Sequence, residues 1–185
     1  MVQRKSNYKA WNALTSLKNN YKIEAGWFEE SKYKDGTSIG GIAAVQNYGA
    51  KIPVTDKLRG YFGANFNIYF KQSTQYLIIP PTHFMEACVK QNEEKWKNKF
   101  KEAIASALAG NIEEEKAMQM LGSLVEGDIA KAIAAVDSPP LSPITVQARL
   151  HTYKNEKTPE DTGIGKRLAG TGQMLNAVSH KVEKK

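Results

Sequence analysis

Cysteine is almost missing from this chain. Cys88 stands alone, which excludes an internal disulfide and fits a reducing compartment. It lies in a helical pattern between Ala87 and Val89, where a small buried hydrophobe is expected and a nucleophile is not. No apolar run approaches the roughly 18 residues that a membrane span needs, so no membrane partner is expected. The opening Met1-Val2-Gln3-Arg4-Lys5 is basic but leads into no apolar stretch, so no secretory signal is expected either. The three histidines, His83, His151 and His180, follow no ligand spacing. His83 with Glu86 forms an isolated H-x-x-E, a thin basis for a metal-dependent hydrolase. A G-x-x-x-x-G-K-[ST] loop and a G-x-S-x-G elbow are both missing. Gly36 to Gly41 lacks the strand–turn–helix setting of a dinucleotide loop, and no strand precedes Gly163-Ile164-Gly165-Lys166. No catalytic, cofactor-binding or metal-ligating residue is therefore assigned, and an enzyme is not expected.

What is present suits one soluble domain over residues 1–185, with 41% hydrophobic and 24% charged residues. The net charge of +7 is unevenly spread. Residues 1–60 carry ten basic and five acidic side chains, and residues 61–110 carry six and four. Residues 111–150, with Glu113-Glu114-Glu115, carry three and six; residues 151–185 carry seven and four. A basic first half and an acidic stretch can attract nucleic acid to the one, or draw copies of the chain together head to tail.

Apolar spacing predicts a short amphipathic helix over 8–18, carrying Tyr8, Trp11, Leu14 and Leu17. Tyr21, Ile23, Ala25 and Trp27 alternate as in a half-buried strand, and Lys34-Asp35-Gly36-Thr37 supplies a turn. Ile39, Ile42, Val45 and Tyr48 predict a helix closed by Gly49. Residues 51–75 read as an inserted segment. Thr55 caps a short helix bearing Leu58, Tyr61 and Phe62, and a hairpin follows with arms Phe66–Phe70 and Gln75–Ile79 about a Lys71–Thr74 turn. Lys51, Lys57, Arg59 and Lys71 fall among these aromatics, the mixture that single-strand nucleic-acid platforms use. Pro80-Pro81 stops the strand, because proline cannot donate to a ladder and suits a helix entry. From Phe84 the period becomes helical, with a stripe of Met85, Val89, Trp96, Phe100, Ile104 and Leu108 and a polar gap at Asn92 and Glu93. Gly110-Asn111 breaks it, and Asn111 with Glu114 predicts a capping box for a second helix carrying Ala117, Leu121, Leu124, Val125, Ile129, Ala132, Ile133 and Val136. Ser142-Pro143 opens a third helix through Leu150. Residues 151–170 are expected as a mobile loop, Thr171–Leu175 as a helical turn, and Val178, His180 and Val182 as a last strand rejoining the sheet. The fold class is α+β: a small, mainly antiparallel sheet packed against a long two-helix hairpin, with a hairpin insertion and additional short helices.

Four stretches in order carry a resemblance: Asn47-Tyr48-Gly49; Ile79-Pro80-Pro81-Thr82-His83-Phe84-Met85; Pro140-Leu141-Ser142-Pro143-Ile144-Thr145; and Leu168-Ala169-Gly170-Thr171-Gly172-Gln173-Met174-Leu175-Asn176-Ala177-Val178. Together they resemble a family of tailed-phage tail-completion, neck or virion-morphogenesis proteins encoded among the head–tail joining genes. Typical members carry a glutamate–aromatic–glycine after the first helix and an I-P-P-R-P-F-M-like strand-to-helix junction. A P-L-S-P-x-T-like helix start and an L-x-D-T-G-x-[LM]-x-x-S-[IV] close complete the set. The match spans about residues 21–182, and the Ile52–Gly60 insertion looks like that of the longer members. Asn47 stands here for the glutamate, Thr82-His83 for Arg-Pro, and Ala169-Gly170 for the pair before the threonine.

The resemblance implies a non-enzymatic virion protein at the neck or head-proximal end of the tail, assembled in the host cytoplasm. Its implied partners are copies of itself in a ring around the DNA channel, six favoured over twelve, and neck or tail proteins such as the tail terminator or head-closure protein. Packaged DNA would lie nearby without being read. The motif residues are Tyr48, Gly49, Ile79, Pro80, Pro81, Phe84, Met85, Pro143, Thr171 and Gly172. Lys51, Lys57, Arg59, Lys71, Glu113, Glu114 and Glu115 are candidates for an interface or the channel wall. The alternative is a cytosolic nucleic-acid-binding module using the basic, aromatic insertion 51–75.

Overall fold

Short strands and long helices alternate in the computed structural model, which describes residues 21–152, 168 and 172–185. In chain order the elements are β1 (Tyr21–Gly26), α1 (Ile39–Tyr48), β2 (Ala50–Pro53), α2 (Asp56–Phe66), β3 (Tyr76–Ile79), α3 (Phe84–Leu108), α4 (Glu114–Ala134), α5 (Pro143–Thr152), α6 (Gln173–Asn176) and β4 (Ser179–Lys184). The class is α+β. Its strands form two antiparallel two-stranded ladders, β1 with β4 and β2 with β3. The helix expected over 8–18 lies outside the described residues, as does most of the loop expected over 151–170.

The chain divides into two compact units. The first takes its described residues from β1, from α3 beyond Met85, from α4 up to Lys131 and from β4. The alternation of Tyr21 and Ile23 pairs with that of Val182, since Ile23 sits opposite Val182 in the ladder. This places Tyr21, Ile23 and Val182 against a core of Ile104, Ala117 and Met118, closed by Phe100, Ala103, Ala107 and Ile112. The two long helices thus form the expected antiparallel hairpin with a ladder on it.

Two details of that hairpin correct the sequence reading. The stripe of α3 runs one residue earlier than predicted in its first half. Cys88 is buried, whereas Val89 is exposed, and so is Leu108 at the far end. Asn92 is no gap, because its amide donates to the Cys88 carbonyl one turn back. Nor does Asn111 cap α4. Its N–H donates to the Ser106 carbonyl, and that of Gly110 to Ala107, so both residues close α3. The second helix begins only at Glu114, with Glu113 accepting from Ala117.

The second unit holds α1, β2, α2, β3, α5 and α6. The turn before α1 is built as expected. Asp35 Oδ1 accepts from Thr37 N–H, and this bond holds the exposed Asp35 carboxyl below the usual carboxylate range. Ser38 then caps α1 by accepting from Gly41 N–H, which offsets the weak helix preference of Gly40 and Gly41. Thr55 caps α2 in the same way at Leu58, and Ser142 caps α5 at Thr145 with Pro143 as its first residue.

The hairpin expected over 66–79 does not form. Phe66 is the last residue of α2, Asn67 ends the helix in the left-handed conformation, and β3 pairs instead with β2. Two forces set this outcome. Tyr61, Phe62 and Phe66 meet on α2, and Phe70 folds back onto Phe62, at ring separations of 5.1–5.9 Å in edge-on or tilted pairs, contacts that strand alternation would split. The Arg59 guanidinium donates to the carbonyls of Phe70, Lys71 and Thr74, holding the segment after the helix as a loop.

Candidate functional site

Where the sequence placed its motif residues, the structure ties two motifs together through the main chain. The helix α1 ends in Gln46-Asn47-Tyr48, and β3 ends in Ile79 before the two prolines. The Gln46 carbonyl accepts from both the N–H and the hydroxyl of Thr82. The Asn47 carbonyl accepts from Thr82 N–H at 3.2 Å and from His83 N–H at 3.0 Å. Its side-chain Oδ1 then accepts from Met85 N–H at 3.0 Å, in the first turn of α3. An isolated helix start is usually capped by its own preceding residue. Here that residue, His83, is held at φ 52°, and an asparagine from another helix does the capping. Asn47 is 2% exposed, a buried polar group with its side-chain oxygen satisfied.

Gly49 completes the junction. Its φ is 77°, and a Cβ there would sit 2.7 Å from the Ile79 carbonyl oxygen and 3.0 Å from Pro81 N. Only glycine fits both the left-handed conformation and the close passage of the β3 end. The residues that bring the chain past Gly49 are therefore the Ile79-Pro80-Pro81 that stop the strand. Tyr48 points out, 69% exposed, while Phe84 is buried behind the junction.

The other two motifs fall in the same unit. Pro143 opens α5, which packs against α2, with His151 edge-on to Phe66 at 6.4 Å. Gly172, at φ 67°, precedes α6, which packs against α1 with Met174 buried. Thr171 lies outside the described residues; Leu168 is described and buried. From Asn47 to Ala177, the motif residues that are described belong to the second unit.

The charged candidates divide differently. Lys51, Lys57 and Lys71 are exposed around the β2–β3 ladder and α2, and Lys51 Nζ lies 4.0 Å above the Tyr76 ring. Arg59 is not available to a ligand, since three carbonyls of its own loop hold it. Glu113, Glu114 and Glu115 are exposed where α4 begins, in the first unit.

Two polar clusters in the first unit escaped the sequence reading. Asp128, whose side chain is 4% exposed, accepts from Lys95 Nζ at 2.6 and 2.7 Å and from Trp96 Nε1 at 2.8 Å. Burial alone would push its carboxyl up. The Lys95 and Trp96 bonds, with the charges of Lys95 and Lys131, outweigh burial and hold it below the usual range. Next to it, burial and the Asp128 charge push the Cys88 thiol up, so it is no poised nucleophile. The second cluster joins β4 to α4. His180 Nδ1 is 2.6 Å from Glu126 Oε2, and Nε2 is 3.0 Å from Gln119 Oε1. The ring lies so close to α4 that a Cβ on Gly122 would be 2.2 Å from His180 Cδ2. A charged residue inside an apolar stripe and a mid-helix glycine were the two signals that marked these sites.

Among the described residues, no three His, Cys, Asp or Glu side chains converge as a metal ion requires, and no helix is long and apolar enough to cross a membrane. No family model, curated protein or solved structure matches the chain.

Proposed function

We propose that this protein is a structural component of a tailed-phage virion, acting in the neck or at the head-proximal end of the tail to complete the tail and join it to the head. Six copies form a ring around the DNA channel, with twelve as the other arrangement, and the ring contacts the tail terminator or head-closure protein. DNA passes through without being read. The observation that carries this reading is the physical linkage of motifs first noticed only as a series. Gly49 is passed closely by Ile79 and Pro81 of the next motif, and the starts of α5 and α6 lie in the same unit. A resemblance by chance has no reason to select residues that depend on one another.

The nucleic-acid-binding alternative loses its best side chain, since Arg59 is engaged by its own loop, and Phe62 is packed by the Phe66 and Phe70 rings. Filter binding at low and high salt separates the readings, because a phosphate-binding module shows a steep salt slope through counterion release. The direct test is the mass of the purified chain in solution together with negative-stain images. Closed rings support the proposal. A monomer with a steep salt slope for single-stranded DNA would replace it with the alternative.

A further inference from the structure

Two exposed apolar surfaces differ in shape and in the sign of the charge around them. The first is a groove on the hairpin of α3 and α4, about 360 Å³ in volume and walled by Ile112, Met120, Leu121 and Leu124. That is room for on the order of ten waters, on walls that offer them few hydrogen bonds. Met120 stands 61% exposed in it. At its rim Lys99 is already paired with Glu102 at 2.6 Å, and beyond Ile112 the chain continues into Glu113, Glu114 and Glu115, all exposed.

The second surface is the β2–β3 ribbon. Its register sets Lys51 opposite Ile78 and Pro53 opposite Tyr76, which puts these four side chains on one face. All four are exposed, Ile78 at 71%. The ribbon is a ridge only two strands wide, with Lys51, Lys57 and Lys71 exposed on or beside it.

We propose that these are the two halves of one contact, in which the β2–β3 ribbon of one copy docks in the α3–α4 groove of the next. The inference rests on the ring reading above and names the surfaces that make the ring. Charge complementarity selects a second copy as the occupant. An apolar centre of Ile78 and Tyr76, with Lys51 over the Tyr76 ring, meets Met120, Leu121 and Leu124, with Lys57 and Lys71 beside it on one surface and Glu113, Glu114 and Glu115 on the other. That is the anatomy of a specific interface, apolar in its core and charged at its rim. Because ribbon and groove are different surfaces of one chain, each copy offers one to each neighbour, and such heterologous contacts form a ring where the rotation between copies closes.

The test uses three variants of the full chain. In the first, Glu113, Glu114 and Glu115 are changed to lysine, so groove and ribbon are both basic. In the second, Lys51, Lys57 and Lys71 are changed to glutamate, so both are acidic. Each alone should assemble at least about 30-fold more weakly than the wild type, as loss of an interface hot spot does. An equimolar mixture should recover assembly, because every groove then meets a ribbon of opposite sign. The third, Met120→Glu, leaves the helix start untouched and should block assembly through the groove alone, with circular dichroism unchanged. Wild-type rings with all three variants also ringed would overturn the assigned surfaces and leave the ring reading standing. A groove defect with a normal ribbon variant would overturn the pairing in favour of another occupant of the groove. A wild-type chain that stays monomeric would remove the ring reading, and this contact with it.

Discussion

In the first unit α3 and α4 are joined to each other, and α4 to β4, by side-chain pairs; in the second, the junction of α1 with the end of β3 is made by captured main-chain groups. In the first, Asp128 pins Lys95 and Trp96 of the facing helix, and His180 is clamped between Gln119 and Glu126. In the second, Asn47, Thr82 and Arg59 bind backbone carbonyls and N–H groups of distant segments. The difference follows from the elements. Two long helices satisfy their own backbones and meet through side chains, whereas the end of α1 and the segment from β3 into α3 leave peptide groups to place. The teaching is that substitutions in the first unit act through particular side-chain pairs, and those in the second through the path of the chain.

The largest effect expected is at Gly49. In Gly49→Ala, a left-handed φ of 77° costs an L-residue about 1–2 kcal/mol, and a Cβ 2.7 Å from the Ile79 carbonyl forces a further shift of about 1–3 kcal/mol. Urea unfolding should show a loss of about 2–5 kcal/mol. Asp128→Ala comes next. Lys95 is partly exposed and returns to water, so the loss is the charged hydrogen bonds and an orphaned Trp96 N–H, about 2–3 kcal/mol. This contribution has a defined pH window. The Asp128 carboxyl is held below its unfolded value, so its stabilisation is complete above about pH 4 and is lost as pH falls through the folded value. The gap between wild type and Asp128→Asn in thermal unfolding should therefore close in acid. A gap that widened there would contradict the pairing.

Gly122→Ala should cost about 1–2 kcal/mol by driving the His180 ring off α4. In a His180→Ala background the sign should reverse, because alanine is the better helix former by up to about 1 kcal/mol. A cost that persisted in that background would show that His180 is not the obstacle. Asn47→Ala is the mildest, at about 1 kcal/mol, since one helix cap is lost and the carbonyl bonds to Thr82 and His83 stay. Together these four changes ask whether disruption follows side-chain pairs in one unit and backbone path in the other.

Local signals made much of this fold legible. Thr55, Ser142-Pro143, Pro80-Pro81 and the alternation of Tyr21 and Ile23 each act over a few residues, and each element appears where they place it. What stayed hidden depends on partners far along the chain. Phe66–Phe70 has strand-forming residues, yet Phe66 packs on Phe62 one helical turn back and Arg59 takes the Phe70 carbonyl. The partner of β3 is β2, a choice made by the close passage at Gly49 and not by the composition of either strand. Asn111 has the right chemistry for a cap, but the closing turn of α3 reaches it first. Of the candidate site, the motif residues were visible as a series and their contacts were not. Asn47 stands where the family pattern has a glutamate, and nothing local in the sequence marks it as the cap of α3 from another helix.

In the proposed virion role this chain assembles copies of itself into a closed ring. Native mass spectrometry of the full-length wild-type chain tests it most directly. The account predicts a discrete species of six copies of a 20.5 kDa chain, or twelve, stable on dilution and weakened by high salt. A single 20.5 kDa species at every concentration would contradict it.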